Sequence, residues 1–267
     1  MDALTGRQSR ELEYHRDHFG NSELLKGAFS FDVLDRPERR WWNAYWAMYG
    51  ALKNSDLAGK RVLVVGCGAG DDALRIAKLG AHVSAFDLSP EAIALASALA
   101  KREGLQIDFQ VMTAERLRYA AGTFDAVVAR DIMHHVDIAE TMAELRTVAK
   151  PGAVFVVNEI YSHSITELIR RSWLVERVLY PAMRKLIYGP GKPYITADER
   201  KLTERDMQLI TGPLSVGSTR YFNFLVTRVI PDRWDFTAKL DRIAMKAMGR
   251  VGKLFAGRVL LTGRLRK

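Results

Sequence analysis

Only one cysteine, Cys67, occurs in the 267 residues, so no disulfide can form within the chain. A lone thiol fits a reducing compartment, and the chain is expected in the cytoplasm. Long apolar runs are also missing. Stretches such as Ala153–Val157 and Phe222–Val226 stop after five residues, against the roughly 20 that a spanning helix needs. The opening stretch, MDALTGRQSRELEYHRDHF, mixes acids with bases and holds no apolar segment, so it is not expected to act as a signal peptide. There is no internal repeat or low-complexity tract, which argues against a solenoid or a disordered chain. Acidic residues are scarce in one region only. Residues 1–160 hold 19 Lys and Arg against 22 Asp and Glu, whereas 161–267 hold 21 against 9. A basic C-terminal part on a slightly acidic body points to an anionic partner, or simply to a solvated basic surface.

Apolar residues make up 48% of the chain and charged residues 27%, a globular balance. From Gly59 to Val157 the pattern alternates between strands and helices. The strand candidates are Arg61–Val65, His82–Phe86, Ile107–Val111, Phe124–Val128 and Ala153–Val157, each short, β-branched or aromatic, and bounded by turn residues. Between them, Asp71 and Asp72 are expected to cap Ala73–Leu79. Ser89-Pro90-Glu91 sets a capping hydroxyl before a proline. Asp137 and Glu140 resemble a capping box for Ile138–Ala149, which Lys150-Pro151-Gly152 would stop. This alternation predicts an α/β fold with a parallel sheet covered on both faces. Residues 1–58 read as a helical extension, with Trp42, Tyr45, Trp46 and Tyr49 on one helix face that either packs as core or lines a pocket under a lid. After Tyr161, helical stretches are expected at Ile165–Ile187 and Phe236–Phe255, and strands at Ser218–Val226 and Gly257–Gly263.

The first strand runs into Gly66-Cys67-Gly68-Ala69-Gly70 and then a helix. Glycines there let the backbone turn sharply and approach a ligand at the C-terminal end of the sheet. A dinucleotide fingerprint would need a third glycine where Asp71 stands, and Asp71 and Asp72 would repel a pyrophosphate at that helix end. No lysine followed by Ser or Thr is present, which excludes a P-loop. A ligand carrying an amino group and a sulfonium suits the two carboxylates better. Asp87 ends the second strand about 20 residues past the loop, where an acid takes both hydroxyls of a ribose.

Val62–Gly70, Phe86–Pro90, Phe124–Val136 and Glu144–Phe155 together resemble the successive motifs of class I S-adenosylmethionine-dependent methyltransferases. The nearest branch is the small-molecule one that includes the ubiquinone and menaquinone C-methyltransferases. The resemblance covers about residues 59–160, a little over a third of the chain. It implies a Rossmann-like, seven-stranded, doubly wound sheet with Ser218–Val226 and Gly257–Gly263 as the last pair, a helical N-terminal extension, and helical insertions in the C-terminal part at 161–267. S-adenosylmethionine would be the cofactor, with S-adenosylhomocysteine as product. Gly66, Cys67, Gly68, Gly70, Asp71, Asp87 and Leu88 would hold it, with Ala114 and Glu115 flanking the adenine and Arg130 and Asp131 closing the methionine end. One departure stands out: the family usually carries an acid two residues before the first glycine, where this chain has Val64. Asp71 or Asp72 is the candidate substitute.

Transfer of a methyl group from a sulfonium needs chiefly alignment, and a base only when the attacking atom carries a proton. His134 and His135 follow the fourth strand and are the catalytic candidates, with packing as the alternative. Glu159, Tyr161, His163 and Trp42 are the acceptor-binding candidates; Tyr14, His15, His18 and Phe19 belong to a lid or to the surface. Asp, Glu and His show no metal-ligand spacing, and no metal is expected. The expected acceptor is a small hydrophobic or aromatic metabolite, bound between the sheet edge, the N-terminal aromatics and the Tyr161–Tyr194 insertion. Alternatives are a lipid or quinone met at an anionic membrane surface, and a cofactor-binding partner protein without turnover. In Phe236–Phe255, Phe236, Leu240, Ile243, Val251 and Leu254 form an apolar stripe beside Lys239, Arg242, Lys246, Arg250 and Lys253. The second helical stretch, Ile165–Ile187, sets Trp173 among Arg170, Arg171, Arg177 and Arg184. Such helices either pack on the sheet or lie in a membrane interface. No nucleic-acid-binding module is recognisable, and nothing specifies the oligomeric state.

Overall fold

The computed structural model describes Gly6, Gln8, Ser9, Leu12 and residues 27–170, 172–181, 200–227 and 230–266. Tyr14, His15, His18, Phe19, Arg171, Arg184 and the 182–199 part of the expected insertion lie outside the described residues.

Helical turns at Asp32–Asp35 and Pro37–Arg40 lead into α1 (Ala44–Lys53). Then come β1 (Arg61–Val65), α2 (Asp71–Lys78), β2 (His82–Asp87), α3 (Pro90–Arg102), β3 (Ile107–Val111) and β4 (Phe124–Arg130). The chain continues through α4 (Ile138–Val148), β5 (Ala149–Ile160), α5 (Ser164–Arg170), a π-helical turn at Val175–Leu179, α6 (Glu204–Thr211) and β6 (Leu214–Phe222). Helix α7 (Asp235–Ala247), a 3-10 turn at Gly249–Leu254 and β7 (Arg258–Leu265) complete it. The seven strands form one sheet in the order β3-β2-β1-β4-β5-β7-β6. The first five are parallel, and β7 runs antiparallel to both β5 and β6.

The central strands are buried on both faces, which is why they read as continuous Val, Ala and Phe rather than as an alternation with polar residues. Leu63, Val65, Phe86, Val127, Phe155 and Val157 pack on the side of α4 and α6. Val62, Val64, Ala85, Ala126, Val128 and Val156 pack against Met48, Tyr49 and Leu52 of α1 and Ala73 and Ile76 of α2. The strand order reverses between β1 and β4, and at such a switch point the loops diverge and leave a crevice for ligand.

Several boundaries differ from those expected. Helix α2 begins at Asp71: Gly70, left-handed at φ 87°, is its cap, and Asp71 and Asp72 occupy the first turn instead. The side chain of Asn43 caps α1 by accepting from Tyr45 N and Trp46 N, so Trp42 lies outside the helix and the four-aromatic face is split. Asp137 caps α4 on Glu140 N, but the reciprocal bond to Asp137 N comes from Glu115 rather than Glu140. Strand β6 ends at Phe222, four residues early, because Asn223 turns left-handed at φ 63°. Gly249, at φ 53°, ends α7 and starts the 3-10 turn.

The amphipathic C-terminal helix is turned about differently from the packing expectation. Ala238, Asp241, Arg242 and Met245 face inward, while Phe236 is 72% exposed and Leu240, Ile243 and Val251 are exposed beside it. Asp241 accepts from Phe224 N and Leu225 N, and Arg242 donates to Tyr221 O at 2.5 Å over the Phe222 ring. The polar pair satisfies the backbone of the turn after β6, and that fixes the inward face.

Candidate functional site

Gly66 sits at the tip of β1 with φ 60°, and a Cβ there would lie 2.5 Å from Ile132 Cδ1. The segment after β4 can therefore close against the loop only because this residue has no side chain. Gly70 serves another contact: a Cβ on it would come 2.8 Å from Ala96 Cβ, so it seats α2 on α3. Between them, Cys67 N donates to Phe86 O at 2.8 Å and Gly68 N to Asp87 Oδ2 at 2.8 Å. The other oxygen of Asp87 accepts from Ser89 N at 3.0 Å, while Ser89 Oγ caps α3 on Ala92 N. Asp87 thus ties the loop to the end of β2 and still lines the crevice.

That crevice is a cavity of about 750 Å³, within the range of small-molecule and cofactor sites. Gly66, Cys67, Gly68, Asp71, Asp87, Leu88, Ala114, Glu115 and Arg130 all line it, and so do Asp131 and His135. Gly70, expected to hold cofactor, stays behind the loop in its packing role. The N-terminal segment also reaches the cavity, through Gln8, Phe29 and Ser30. Gln8 Nε2 donates to Glu115 Oε2 at 3.2 Å, and the Arg75 guanidinium sits 4.6 Å over the Phe29 ring. These contacts escaped the sequence reading because no spacing links residues 107 positions apart, as Gln8 and Glu115 are, or 46 apart, as Phe29 and Arg75 are.

A chain of charges closes one end of the cavity. Arg130 Nε donates to Asp72 Oδ2 at 2.6 Å and its NH1 to Asp131 Oδ2 at 3.4 Å. Tyr49 OH donates to the other oxygen of Asp72. Arg258 donates to Asp131 and, at 2.9 Å, to Asn158 Oδ1. Burial alone would raise the Asp131 carboxyl, but Arg258 and Arg130 together hold it below the usual carboxylate range. Burial and the neighbouring Asp72 push the Tyr45 and Tyr49 hydroxyls up, so both stay protonated. Burial likewise raises the Cys67 thiol, with Asp87 adding to it, so this cysteine is no nucleophile at neutral pH.

The segment after β4 hangs on one buried carboxylate. Glu159 is fully buried; its Oε1 accepts from Ile132 N and Met133 N, both at 2.7 Å, and its Oε2 accepts from His134 Nδ1 at 2.7 Å. Neither Glu159 nor His134 lines the cavity; their carboxylate and imidazole pair in holding the segment, and of the two histidines it is His135 that lines it. Three other acceptor candidates also lie elsewhere. Tyr161 is buried against Tyr221, with ring centroids 5.3 Å apart. His163 Nε2 pairs with Glu204 Oε1 at 2.6 Å. Trp42 packs on Val226 and Ala238 beneath the Lys239 ammonium. Among the described residues no cluster of His, Cys, Asp and Glu could hold a metal.

Residues 62–152 match a family model described as a methyltransferase domain. The chain is 41% identical over 99 residues to the ubiquinone biosynthesis O-methyltransferase of Methylocella silvestris, covering 37% of this chain and 39% of that protein. It is 39% identical over 148 residues to the enzyme of the same name from Xanthomonas oryzae pv. oryzae, covering 49% and 62%. The chain thus spans less than two thirds of the length of these curated relatives. The relatives carry the O-methyltransferase name, not that of the C-methyltransferases the motifs resembled. Among solved structures, geranyl diphosphate C-methyltransferase from Streptomyces coelicolor A3(2), with Mg2+, geranyl diphosphate and S-adenosyl-L-homocysteine, superposes with a TM-score of 0.61. The match covers 99% of this chain and 100% of that one at 13% identity. The sheet is therefore the Rossmann-like fold of class I S-adenosylmethionine-dependent methyltransferases, and its core resembles the ubiquinone branch in sequence.

Proposed function

We propose that this chain binds S-adenosylmethionine in the cavity beside the glycine loop and transfers its methyl group to a small-molecule acceptor. The observation that carries the reading is Asp87, held by Gly68 N and Ser89 N and lining the cavity together with Asp71 and Glu115. The donor set fits the ligand: carboxylates at Asp71, Asp87 and Glu115 suit ribose hydroxyls, an ammonium and a sulfonium, and would repel a pyrophosphate. When bound, the cofactor supplies a methyl carbon on sulfur. That carbon would be open to displacement by an acceptor lone pair with the thioether as leaving group, and His135 would be placed to take any proton from the acceptor atom.

The chain's own part is positional. Asp87 takes the ribose, Ala114 and Glu115 the adenine, Asp71 the amino group, and Ile132 closes the floor against Gly66. His135 is the one candidate base that borders the cavity. Good alignment of the reacting atoms is worth roughly 7–11 kcal/mol, so no stronger chemical device is required. The test is calorimetric titration with S-adenosylhomocysteine. Micromolar binding that Asp87→Ala weakens tenfold or more, about 1.4 kcal/mol, in a variant that still melts cooperatively, supports the reading. An absence of binding by the wild type overturns it. Binding without methylation of any acceptor across extracts would instead favour a partner protein lacking turnover.

A second reading, of an enzyme working at an anionic membrane surface, is favoured by the outward apolar face. Leu168 is 75% and Trp173 71% exposed, and α5 touches the 3-10 turn through Thr166 Oγ1 and Leu254 O. The stripe on α7 continues that surface, with Arg250 and Lys253 exposed beside it. Among the described residues no helix is long and apolar enough to cross a membrane, so the contact would be interfacial. Co-sedimentation with anionic liposomes, lost at high salt or on Phe236→Ser, would support it; the same recovery with neutral and anionic vesicles would not.

A further inference from the structure

A second cavity, of about 440 Å³, opens beside the first and shares Asp71, Arg130 and Asp131 with it. Those three residues stand at the methionine end proposed above, so the two cavities meet where the transferred methyl group would lie. Asn43, Ala44, Tyr45, Asn223, Thr227, Asp232 and Arg258 complete its lining.

Apart from Ala44 and Tyr45, the side chains of the lining are polar or charged. Both of its guanidinium groups are engaged: Arg130 serves Asp72 and Asp131, and Arg258 serves Asp131 and Asn158. Carboxylates outnumber them, with Asp71, Asp131 and Asp232 on the wall; Asp232 accepts from Asn43 Nδ2 at 3.3 Å. An apolar guest would strip water from these groups without replacing its hydrogen bonds, and an anionic guest would face an excess of negative charge. Backbone strain gathers at the same place. Among the described residues four non-glycine residues have positive φ, and three of them line this cavity: Asp131 (54°), Asn223 (63°) and Thr227 (64°). Asp and Asn tolerate left-handed backbone, whereas β-branched Thr227 is strained there, and such strain concentrates at ligand-holding sites.

We infer that this cavity is the acceptor site, and that its acceptor is a small neutral or cationic molecule bearing hydroxyl or amine hydrogen-bond donors. The inference rests on the proposed cofactor reading and departs from the hydrophobic or aromatic acceptor that the sequence led us to expect. Asp131 is its central positioning group: two arginines keep the carboxylate ionised and aimed, so it accepts a hydrogen bond from the donor end of the guest. Thr227 and Asp232 contact the far end.

The experiment uses the full chain saturated with S-adenosylhomocysteine, whose binding is first measured calorimetrically. Saturation-transfer NMR then compares three probe sets: dopamine and glucosamine, anisole and indane, benzoate and phenyl phosphate. The expected result is transfer to the first set about fivefold or more above the other two. Asp232→Asn and Thr227→Val, which lie outside the cofactor cavity, should each reduce that signal at least threefold while leaving S-adenosylhomocysteine affinity unchanged. Equal or stronger transfer to anisole, indane or the anions overturns the inference. So does silence from every probe while S-adenosylhomocysteine binds, or a dopamine and glucosamine signal that both variants leave intact. Failure of S-adenosylhomocysteine itself to bind removes the cofactor reading, and this inference with it.

Discussion

Glu159 offers a sharp test because its two oxygens do different work. Oε1 takes both backbone donors, Ile132 N and Met133 N, and Oε2 takes only the His134 ring. Replacing it with glutamine keeps an oxygen for the two backbone bonds and turns an amide nitrogen toward His134, whose imidazole can change tautomer and accept. Only charge assistance is lost, about 1–2 kcal/mol given that hydrogen bonds to charged groups are worth 1.5–3 and neutral ones about 1. Alanine removes all three bonds at a fully buried position and leaves two backbone N–H groups and an imidazole without their acceptor. Each buried group left without its acceptor costs about 1–3 kcal/mol, so the three together cost about 3 kcal/mol or more. At roughly 2–4 °C per kcal/mol for chains near this size, Glu159→Gln should melt a few degrees below wild type and Glu159→Ala on the order of 10 °C below. Ile132 rests against Gly66 and lines the cofactor cavity, so Glu159→Ala should also weaken S-adenosylhomocysteine binding. Differential scanning calorimetry with and without ligand reads both effects. Equal losses for the two variants would refute the division of labour between the oxygens. A loss below about 1 kcal/mol for alanine would refute the claim that this carboxylate holds the segment.

Three further predictions use the same cavity and its supports. Gly66→Ala combines a left-handed side chain, roughly 1–2 kcal/mol, with overpacking against Ile132, roughly 1–3; urea unfolding should show a loss of about 2–4 kcal/mol, and an unchanged midpoint would contradict the packing. The Asp131 carboxyl titrates below its unfolded value near 3.9, so the stability it adds is complete above that value and disappears as pH falls through the lower folded one. The stability gap between wild type and Asp131→Asn should therefore shrink on acidification below about pH 4, and a gap constant from pH 3 to 6 would count against the ion pairs. Asp71→Asn should weaken S-adenosylhomocysteine binding about tenfold with little change in melting, whereas Asp72→Asn should lower the melting temperature; the reverse pattern would exchange the roles assigned to the two acids.

What could be read from the sequence was what local chemistry decides. Strands β1 and β3 end at the expected residues because turn residues flank short β-branched runs, and Asp87 was identifiable from its distance to the glycine loop. Ser89 and Asp137 cap their helices as expected because capping is a contact over three residues. Long-range partners were hidden. Glu159 looked like an acceptor ligand because its strand end faces the crevice, and nothing in its neighbourhood announces three donors lying 25–27 residues earlier. The periodicity of Phe236–Phe255 showed two faces but not which one turns inward. That choice was made by Asp241 and Arg242 meeting the backbone of the turn after β6, a contact between residues up to 21 apart. Trp42 was placed by helical periodicity and Tyr161 and His163 by following the fifth strand, and tertiary packing sets each of them against other partners.

The absent acid at Val64 gains a physical explanation from the same network. Val64 is 3% exposed, packs with Val62, Ala126 and Val128 against α1 and α2, and lines neither cavity. A carboxylate there would be buried among apolar side chains and would need a dedicated cation. The chain instead keeps its buried acid in the first turn of α2: Asp72 is held by Tyr49 OH and Arg130 Nε. Asp72 is buried and lines neither cavity, unlike Asp131, so in the proposed complex it is a support and not a ligand for an amino group. Its neighbour differs. Asp71 lines both cavities, its side chain is half exposed, and its nearest recorded cation, Arg75, lies at 3.9 Å. In the proposed complex this leaves Asp71 to meet the ammonium, with Asp72 and Arg130 as the scaffold that fixes the first turn of α2 at the boundary between cofactor and acceptor.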